Sequence, residues 1–186
     1  MAFARPKKRE PVGEAELFEY AVATLARRMR TVRDLRRLMQ PRAYPGEPGE
    51  RDMDRVIERL IELKYLSDSR FAADYTRLRK ENQGFGRRRV EQDLALKGVD
   101  KELAAATLES AYGDTDEVEL ARAYCRRKRI QQPGGVNAKK ETVRLMNRLV
   151  RAGFSSGAIF RLLRSWSVDV PGEGEGDSDQ YDLPDL

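Results

Sequence analysis

Apolar residues recur every three or four positions through most of the chain, and no segment sustains the two-residue alternation of a strand. Three segments superimpose without gaps, each opening with a large apolar residue followed by Ala and closing on basic residues. They are YAVATLARRM (20–29), FAADYTRLRK (71–80) and LARAYCRRKR (120–129). A helical segment that recurs in this way is typical of a repeat protein.

Two further blocks recur with the first. One block contains two sets of equivalent apolar positions, here called columns, that repeat at a constant spacing of 55 residues. The first column is Leu35, Val90 and Leu145, and the second is Met39, Leu94 and Leu149. The other reads VIERLI from position 56, LAAATL from 103 and AIFRLL from 158. Each repeat therefore has three helices, which we call A, B and C in chain order. The sequence predicts an all-α fold in which three tandem three-helix repeats form an elongated, curved array.

Prolines and glycines indicate where the helices end. All eight prolines fall between the proposed helices or in the tails, Ser67 or Asp68 is expected to cap a helix, and Gly98 and Gly153 follow helix B. We predict a basic N-terminal tail over 1–12, repeats over 13–66, 67–113 and 114–166, and an acidic disordered tail over 167–186. The first repeat carries a proline-rich insertion at 40–52 between helices B and C.

The charge pattern follows the repeats. The net charge of +5 hides an asymmetry, because residues 165–186 contain acids but no Lys or Arg. In each repeat the basic residues cluster at the end of helix A and along helix B, and stacked repeats would align these clusters into a stripe. Arg outnumbers Lys there, which suits bidentate binding of phosphate or carboxylate. The pattern predicts either a polyanion or an acidic protein surface as partner and does not choose between them.

The candidate binding residues lie on both sides of the Gly84-Phe85-Gly86 turn and in the third repeat. Because no strand precedes that turn, and further glycine or lysine positions are missing, it is interpreted as a helix A–B turn and not a phosphate loop. Phe71 and Tyr75 share one helical face and are expected in the core, whereas Phe85 is the aromatic expected to touch a ligand. The predicted stripe consists of Arg77, Arg79, Lys80, Phe85, Arg87, Arg88, Arg89, Arg126, Arg127, Lys128, Arg129, Arg144 and Arg148.

The composition argues against catalysis. With no histidine and the single cysteine, Cys125, in a helical packing column, the usual nucleophile–base pairs and zinc ligand sets are missing. No catalytic residue, cofactor or metal is therefore expected. The lone cysteine, the lack of a secretory signal and the lack of a membrane-length apolar run predict a cytoplasmic protein without membrane association. We expect it to be a monomer.

Particular residues resemble a known family. In the middle repeat these residues are YLSDSRFA at 65–72, then Arg79, Gly84, Gly86, Val90, Leu94 and Lys97-Gly98-Val99. Together they are similar to the central signature of RecX regulatory proteins. In the third repeat, RAGFSSGAIFRLL resembles that family's closing repeat. The resemblance covers about residues 14–166, loosely in the first repeat and with Asp93 where the family usually has Glu. The acidic tail is not part of the pattern.

The resemblance implies a non-enzymatic regulator of RecA, with roles in recombination, DNA repair and the SOS response. Proteins of this family are built from tandem three-helix repeats, lodge in the groove of the RecA filament on single-stranded DNA, and limit its growth. They also depress its ATPase, strand-exchange and coprotease activities. The residues alone leave direct DNA contact open. They also leave open a general DNA- or RNA-binding repeat protein that acts without RecA, and a scaffold that uses the grooves between repeats.

Overall fold

The computed structural model describes residues 10–168, whose regular secondary structure is helical apart from one isolated bridge between Val12 and Ala43. The helices are α1 (Glu14–Arg27), α2 (Val32–Met39), α3 (Glu47–Glu62), α4 (Asp68–Leu78), α5 (Arg87–Lys97), α6 (Lys101–Tyr112), α7 (Glu117–Arg127), α8 (Ala138–Arg151) and α9 (Ser156–Ser165). A π-helical turn, Arg79–Gln83, extends α4, and a 3-10 turn, Gly135–Asn137, precedes α8. The prediction of an all-α, three-helix-repeat fold is confirmed. Most of the basic tail, and the acidic tail from residue 169, lie outside the described residues.

Local sequence signals set the helix ends. Five helices are capped by a side-chain oxygen that accepts a hydrogen bond from a backbone N–H group of the first turn. The capping residues are Thr31, Ser67, Asp100, Asp116 and Ser155. A cap of this type contributes about 1 kcal/mol, because it satisfies a donor that has no partner within the helix. Gly98 and Gly153, which follow α5 and α8, have φ of +77° and +89°, so their left-handed backbone ends each helix as the sequence predicted.

The repeated apolar columns form the core. All six residues of the two columns are buried, Leu145 being the most exposed of them at 4%. Phe71 is buried as well, which confirms its expected core position, and Trp166 caps α9 and packs on the last helices. Two compact units result. The first runs through Gln83 and takes in Val90–Thr115, and the second consists of Gly84–Arg89 with the chain from Asp116 onwards.

The insertion of the first repeat differs from its prediction. We expected every proline to lie outside the helices, but α3 begins at Glu47 and includes Pro48 in its first turn. Proline is tolerated there because the first N–H groups of a helix have no partner within it. Gly49 allows the close approach that follows, since a Cβ at this position would lie 1.8 Å from the carbonyl oxygen of Tyr44. Much of the insertion is therefore helical.

A contact between turns occurs twice, at positions 55 residues apart. In the first unit, the turn before α2 packs on the turn after α5, where the Thr31 hydroxyl donates to the Lys97 carbonyl at 2.7 Å. In the second unit, the turn before α5 packs on the turn after α8, where the Gly86 N–H donates to the Ala152 carbonyl at 2.8 Å. Because the positions correspond, we interpret this contact as a repeated joint of the fold.

Cys125 is expected to be unreactive in the folded protein. Its side chain is 1% exposed, and burial raises the pKa of its thiol to about 11, with the charge of Arg148 opposing this shift. Because the thiolate is the reacting species, a thiol reagent at pH 8 should label the native protein at least about 100-fold more slowly than a free cysteine peptide. The control is the same reaction in denaturant, where one thiol should react fully. Rapid labelling of the native chain would contradict the buried position.

Candidate functional site

The structure divides the predicted stripe between the two units. Arg77, Arg79 and Lys80 lie in the first unit, at the end of α4 and in its π-helical turn. The other predicted residues lie in the second unit. They are Phe85, Arg87, Arg88, Arg89, Arg126, Arg127, Lys128, Arg129, Arg144 and Arg148. The two groups have different environments, and each is described separately.

The arginines of the first group are compensated within the chain. Arg77 lies 3.5 Å from carboxylate oxygens of both Asp74 and Glu81. Arg79 lies 3.2 Å from a carboxylate oxygen of Asp93, which is itself only 6% exposed. A pair whose carboxylate is buried is costly to break, because a buried charge would then lack its partner. Arg79 therefore has a structural role in the first unit.

Tyr75 and Lys80 complete this internal network. The Tyr75 hydroxyl donates to Asp93 at 3.1 Å, and burial raises the pKa of Tyr75, so the hydroxyl stays a donor. The Lys80 ammonium donates to the Thr115 hydroxyl at 2.7 Å and to the Ala111 carbonyl, and it lies 5.1 Å from the centre of the Tyr112 ring. Its side chain thus links the π-helical turn to the end of α6.

The Gly84-Phe85-Gly86 turn and the first three residues of α5, which we together call the turn at 84–89, are built into the second unit. Gly84 has φ of +69°, and the half-buried Phe85 packs on the apolar core, with its ring centre 6.4 Å from that of Tyr124. The guanidinium carbon of Arg89 lies 6.0 Å from the centre of the Phe85 ring. The turn is thus folded against α7. The role of Phe85 as a ligand contact stays a prediction.

Ten cations of the second unit are exposed and make no ion pair with any residue the structure describes. We call these residues the basic surface. It comprises Arg88, Arg126, Arg127, Lys128, Arg129, Lys139, Lys140, Arg144, Arg148 and Arg151. The residues come from the turn at 84–89, the end of α7 and the length of α8. Arg127 lies over that turn, with its Nη1 only 3.5 Å from where a Cβ on Gly84 would sit.

The electrostatics of the basic surface favour anions. Arg126 and Arg127 occupy the last turn of α7, and Arg148 and Arg151 the last turn of α8. The negative end of each helix dipole tolerates these cations, which lets the fold concentrate positive charge without ion pairs. Phosphates and carboxylates are the groups that such exposed, uncompensated arginines bind. Direct DNA contact stays a prediction.

The sequence prediction left some of these residues out. Lys139, Lys140 and Arg151 share the exposed side of α8 with Arg144 and Arg148. All three belong to the basic cluster that the sequence places in the third repeat. Helical spacing would have added them to the stripe, because Lys140, Arg144 and Arg151 recur at positions that keep one face of a helix. In the first unit, the exposed Arg28 and half-buried Arg30 belong to the basic cluster of the first repeat but were also left out of the predicted stripe.

The fold and the basic surface together define a class, a helical-repeat protein that presents uncompensated cations on an exposed surface. The family pattern described as RecX, second three-helix domain, matches residues 67–108. The chain belongs to the RecX family of regulatory proteins, which confirms the resemblance found in the sequence. No helix among residues 10–168 is long and apolar enough to span a bilayer.

Several relatives called regulatory protein RecX carry this assignment. That of Mycobacterium ulcerans is 30% identical over 158 residues, which cover 83% of this chain and 87% of the relative. That of Mycolicibacterium smegmatis is 32% identical over 80% of this chain and 76% of the relative. That of Streptomyces coelicolor is 30% identical over 89% of this chain and 83% of the relative.

Two solved structures share the fold. The crystal structure of RecX from Lactobacillus salivarius superimposes with a TM-score of 0.62 at 19% identity, covering 84% of this chain and 97% of that one. A second crystal structure of regulatory protein RecX gives a TM-score of 0.65 at 20% identity, covering 82% and 73%. At these identities the likeness concerns the fold alone.

Proposed function

We propose that the protein inhibits RecA by binding the RecA filament on single-stranded DNA, and that the basic surface of the second unit makes the binding contacts. The observation that carries this proposal is the charge of that surface, which no ion pair within residues 10–168 compensates. Family membership supports a regulatory role, and a filament of protein on DNA offers the anionic groups that the surface requires.

The proposed mechanism is binding without chemistry. The guanidinium groups of Arg126, Arg127, Arg144 and Arg148 make no ion pair with residues 10–168, so binding an anion does not first require a pair within that part of the chain to break. Charge-assisted hydrogen bonds to phosphate or carboxylate then hold the protein on the filament. Occupied filaments extend less and support less ATP hydrolysis, strand exchange and coprotease activity. The protein acts in the cytoplasm as a monomer and needs no cofactor.

The direct test is RecA ATPase on single-stranded DNA, titrated with this protein. We expect the rate to fall to a low plateau as the protein approaches saturation of the filament. Heat-denatured protein at the same concentration serves as a control for the added charge. An unchanged ATPase rate, with tight binding to bare DNA, would instead support the alternative of a general nucleic-acid-binding protein.

Salt distinguishes the same two functions. A protein that binds only through about six phosphates of single-stranded DNA should show a log–log slope of affinity against salt of about −4. Binding to bare DNA with that slope, and no tighter binding to the RecA filament, would contradict the proposal. A preference for the filament that persists at raised salt supports it.

A further inference from the structure

The first unit contains a cleft that the basic surface does not include. It has a volume of about 420 Å³ and opens between the turn that follows α1 and the side of α4 with its π-helical turn. Its walls include Arg28, Met29, Arg30, Tyr75 and Leu78. Every residue of its lining belongs to the first unit.

Positive charge in this cleft is only partly compensated. Two carboxylates line it, but Asp34 already binds Arg37 at 3.2 Å and Lys97 at 3.4 Å, and Asp74 lies 3.5 Å from Arg77. Neither cation of the turn takes part in an ion pair within residues 10–168, which leaves Arg28 and Arg30 uncompensated.

A second observation at Arg30 also points to an anion-binding site. Its Nε is buried but has no hydrogen-bond acceptor within the described chain. A buried donor without a partner costs free energy, so the Arg30 side chain is held in place by packing and not by a partner of its own. An anion that reaches its terminal nitrogens would compensate the charge.

Apolar side chains lie beside these cations. Met29 is 42% exposed and Leu78 is 45% exposed, although both are large apolar residues on the rim of a folded unit. Methionine packs well against varied shapes because its side chain is flexible. The cleft therefore offers an apolar contact and a positive charge side by side.

The two aromatic rings that line the cleft, those of the buried Phe71 and of Tyr75, do not favour binding of a nucleic-acid base. Phe71 stacks on the Tyr75 ring from the preceding helical turn, with centres 5.5 Å apart, and Arg79 lies 4.8 Å from the ring centre in the following turn. Single-stranded nucleic acids bind largely by stacking their bases on open aromatic faces. Since the faces of Tyr75 are already used, the cleft is better suited to a peptide than to a base.

We propose that this cleft binds an acidic peptide segment of a partner protein, in which a carboxylate lies next to an apolar side chain. The carboxylate pairs with Arg28 and Arg30, and the apolar side chain packs on Met29 and Leu78. This inference rests on the proposed function, which makes RecA in its filament the partner. The cleft then binds a RecA segment, and the basic surface of the second unit independently binds anionic groups of the filament.

The test compares two targets, the RecA filament on single-stranded DNA and the same DNA without RecA. We expect Arg28→Ala with Arg30→Ala to weaken filament binding about 100-fold or more, as loss of two charge-assisted contacts implies, and to change binding to bare DNA less than about twofold. The control is Arg27→Ala with Arg51→Ala, which removes the same charge from exposed positions of the first unit outside the cleft. Because Arg30 is half-buried, the exposed Arg28→Glu is tested as well and should act in the same direction.

Two results would overturn the inference. If the double variant weakens binding to bare DNA as much as binding to the filament, the cleft is a phosphate site. If the double variant, Arg28→Glu and the control all bind the filament as the unchanged protein does, the arginines are only solvated. Failure of the unchanged protein to bind the filament would instead refute the proposed function.

Discussion

Reversing two cations of α8, Arg144→Glu and Arg148→Glu, is expected to abolish inhibition of RecA ATPase. Both side chains are exposed and lack an ion pair among the described residues, so their full charge is available to a partner. Each charge-assisted contact contributes about 1.5–3 kcal/mol, and reversal adds repulsion. The concentration needed for half-inhibition should therefore rise by about 100-fold or more. The measurement is ATPase on single-stranded DNA over a range of inhibitor concentrations.

A matched control separates the position of charge from its amount. Arg70→Glu with Lys101→Glu makes the same change in net charge in the first unit, in the first turns of α4 and α6. Glutamate is favourable in a first helical turn, and at position 70 it completes a capping box with Ser67. This control should keep nearly full inhibition. Equal loss of inhibition in the two variants would show that only net charge matters.

Arg87, Arg88 and Arg89 are a poorer choice for this test, although the sequence drew attention to them. The backbone nitrogen of Arg89 approaches Gly153 so closely that a Cβ there would lie 2.3 Å away. The Arg88 N–H donates to the Gly153 carbonyl at 3.3 Å. A substitution in this turn that weakens binding would not separate loss of charge from loss of the turn contact.

That turn contact is the basis of the second prediction, that Gly153→Ala destabilises the second unit by about 2–5 kcal/mol. The residue has φ of +89°, a conformation that costs a non-glycine residue about 1–2 kcal/mol. The added Cβ would also overlap the backbone of Arg89, which cannot move aside as a flexible side chain could. Overpacking of this kind costs about 1–3 kcal/mol more.

Urea unfolding followed by tryptophan fluorescence measures this effect. The single tryptophan, Trp166, packs on the core of the second unit and therefore reports on that unit. The control is Gly157→Ala in α9, where a new Cβ meets nothing within 4 Å, and which should be neutral or stabilising by up to about 1 kcal/mol. A Gly153→Ala midpoint that matches the unchanged protein would contradict the close approach.

Much of the fold followed from the sequence because its signals are local and repeated. The columns that begin at Leu35 and Met39 recur at a fixed spacing, so three copies of one pattern indicated the same buried helix face. Gly98 and Gly153 likewise marked the ends of α5 and α8. The start of α3 was missed, because Pro48 is read as a helix breaker unless its position in the first turn is known.

The candidate binding site was harder to predict from the sequence, because the sequence does not show which group a charged side chain pairs with. Arg79 and Arg148 both belong to the predicted stripe, yet Arg79 lies 3.2 Å from the buried Asp93, whereas Arg148 is exposed with no ion pair in the described chain. Asp93 is distant in sequence from Arg79, and no local rule pairs them. The cleft at Arg28 and Arg30 escaped prediction for the same reason, since residues far apart in sequence form its walls.

The sequence by itself determined the helices, their repeat and the family, because these depend on apolar periodicity and on turn residues that act within a few positions. Tertiary structure alone decided which of the repeated arginines are neutralised and which stay available to a partner. The physical reason is that the free energy of a charge depends on its burial and on the groups within a few ångströms. Those groups are set by the packing of distant segments.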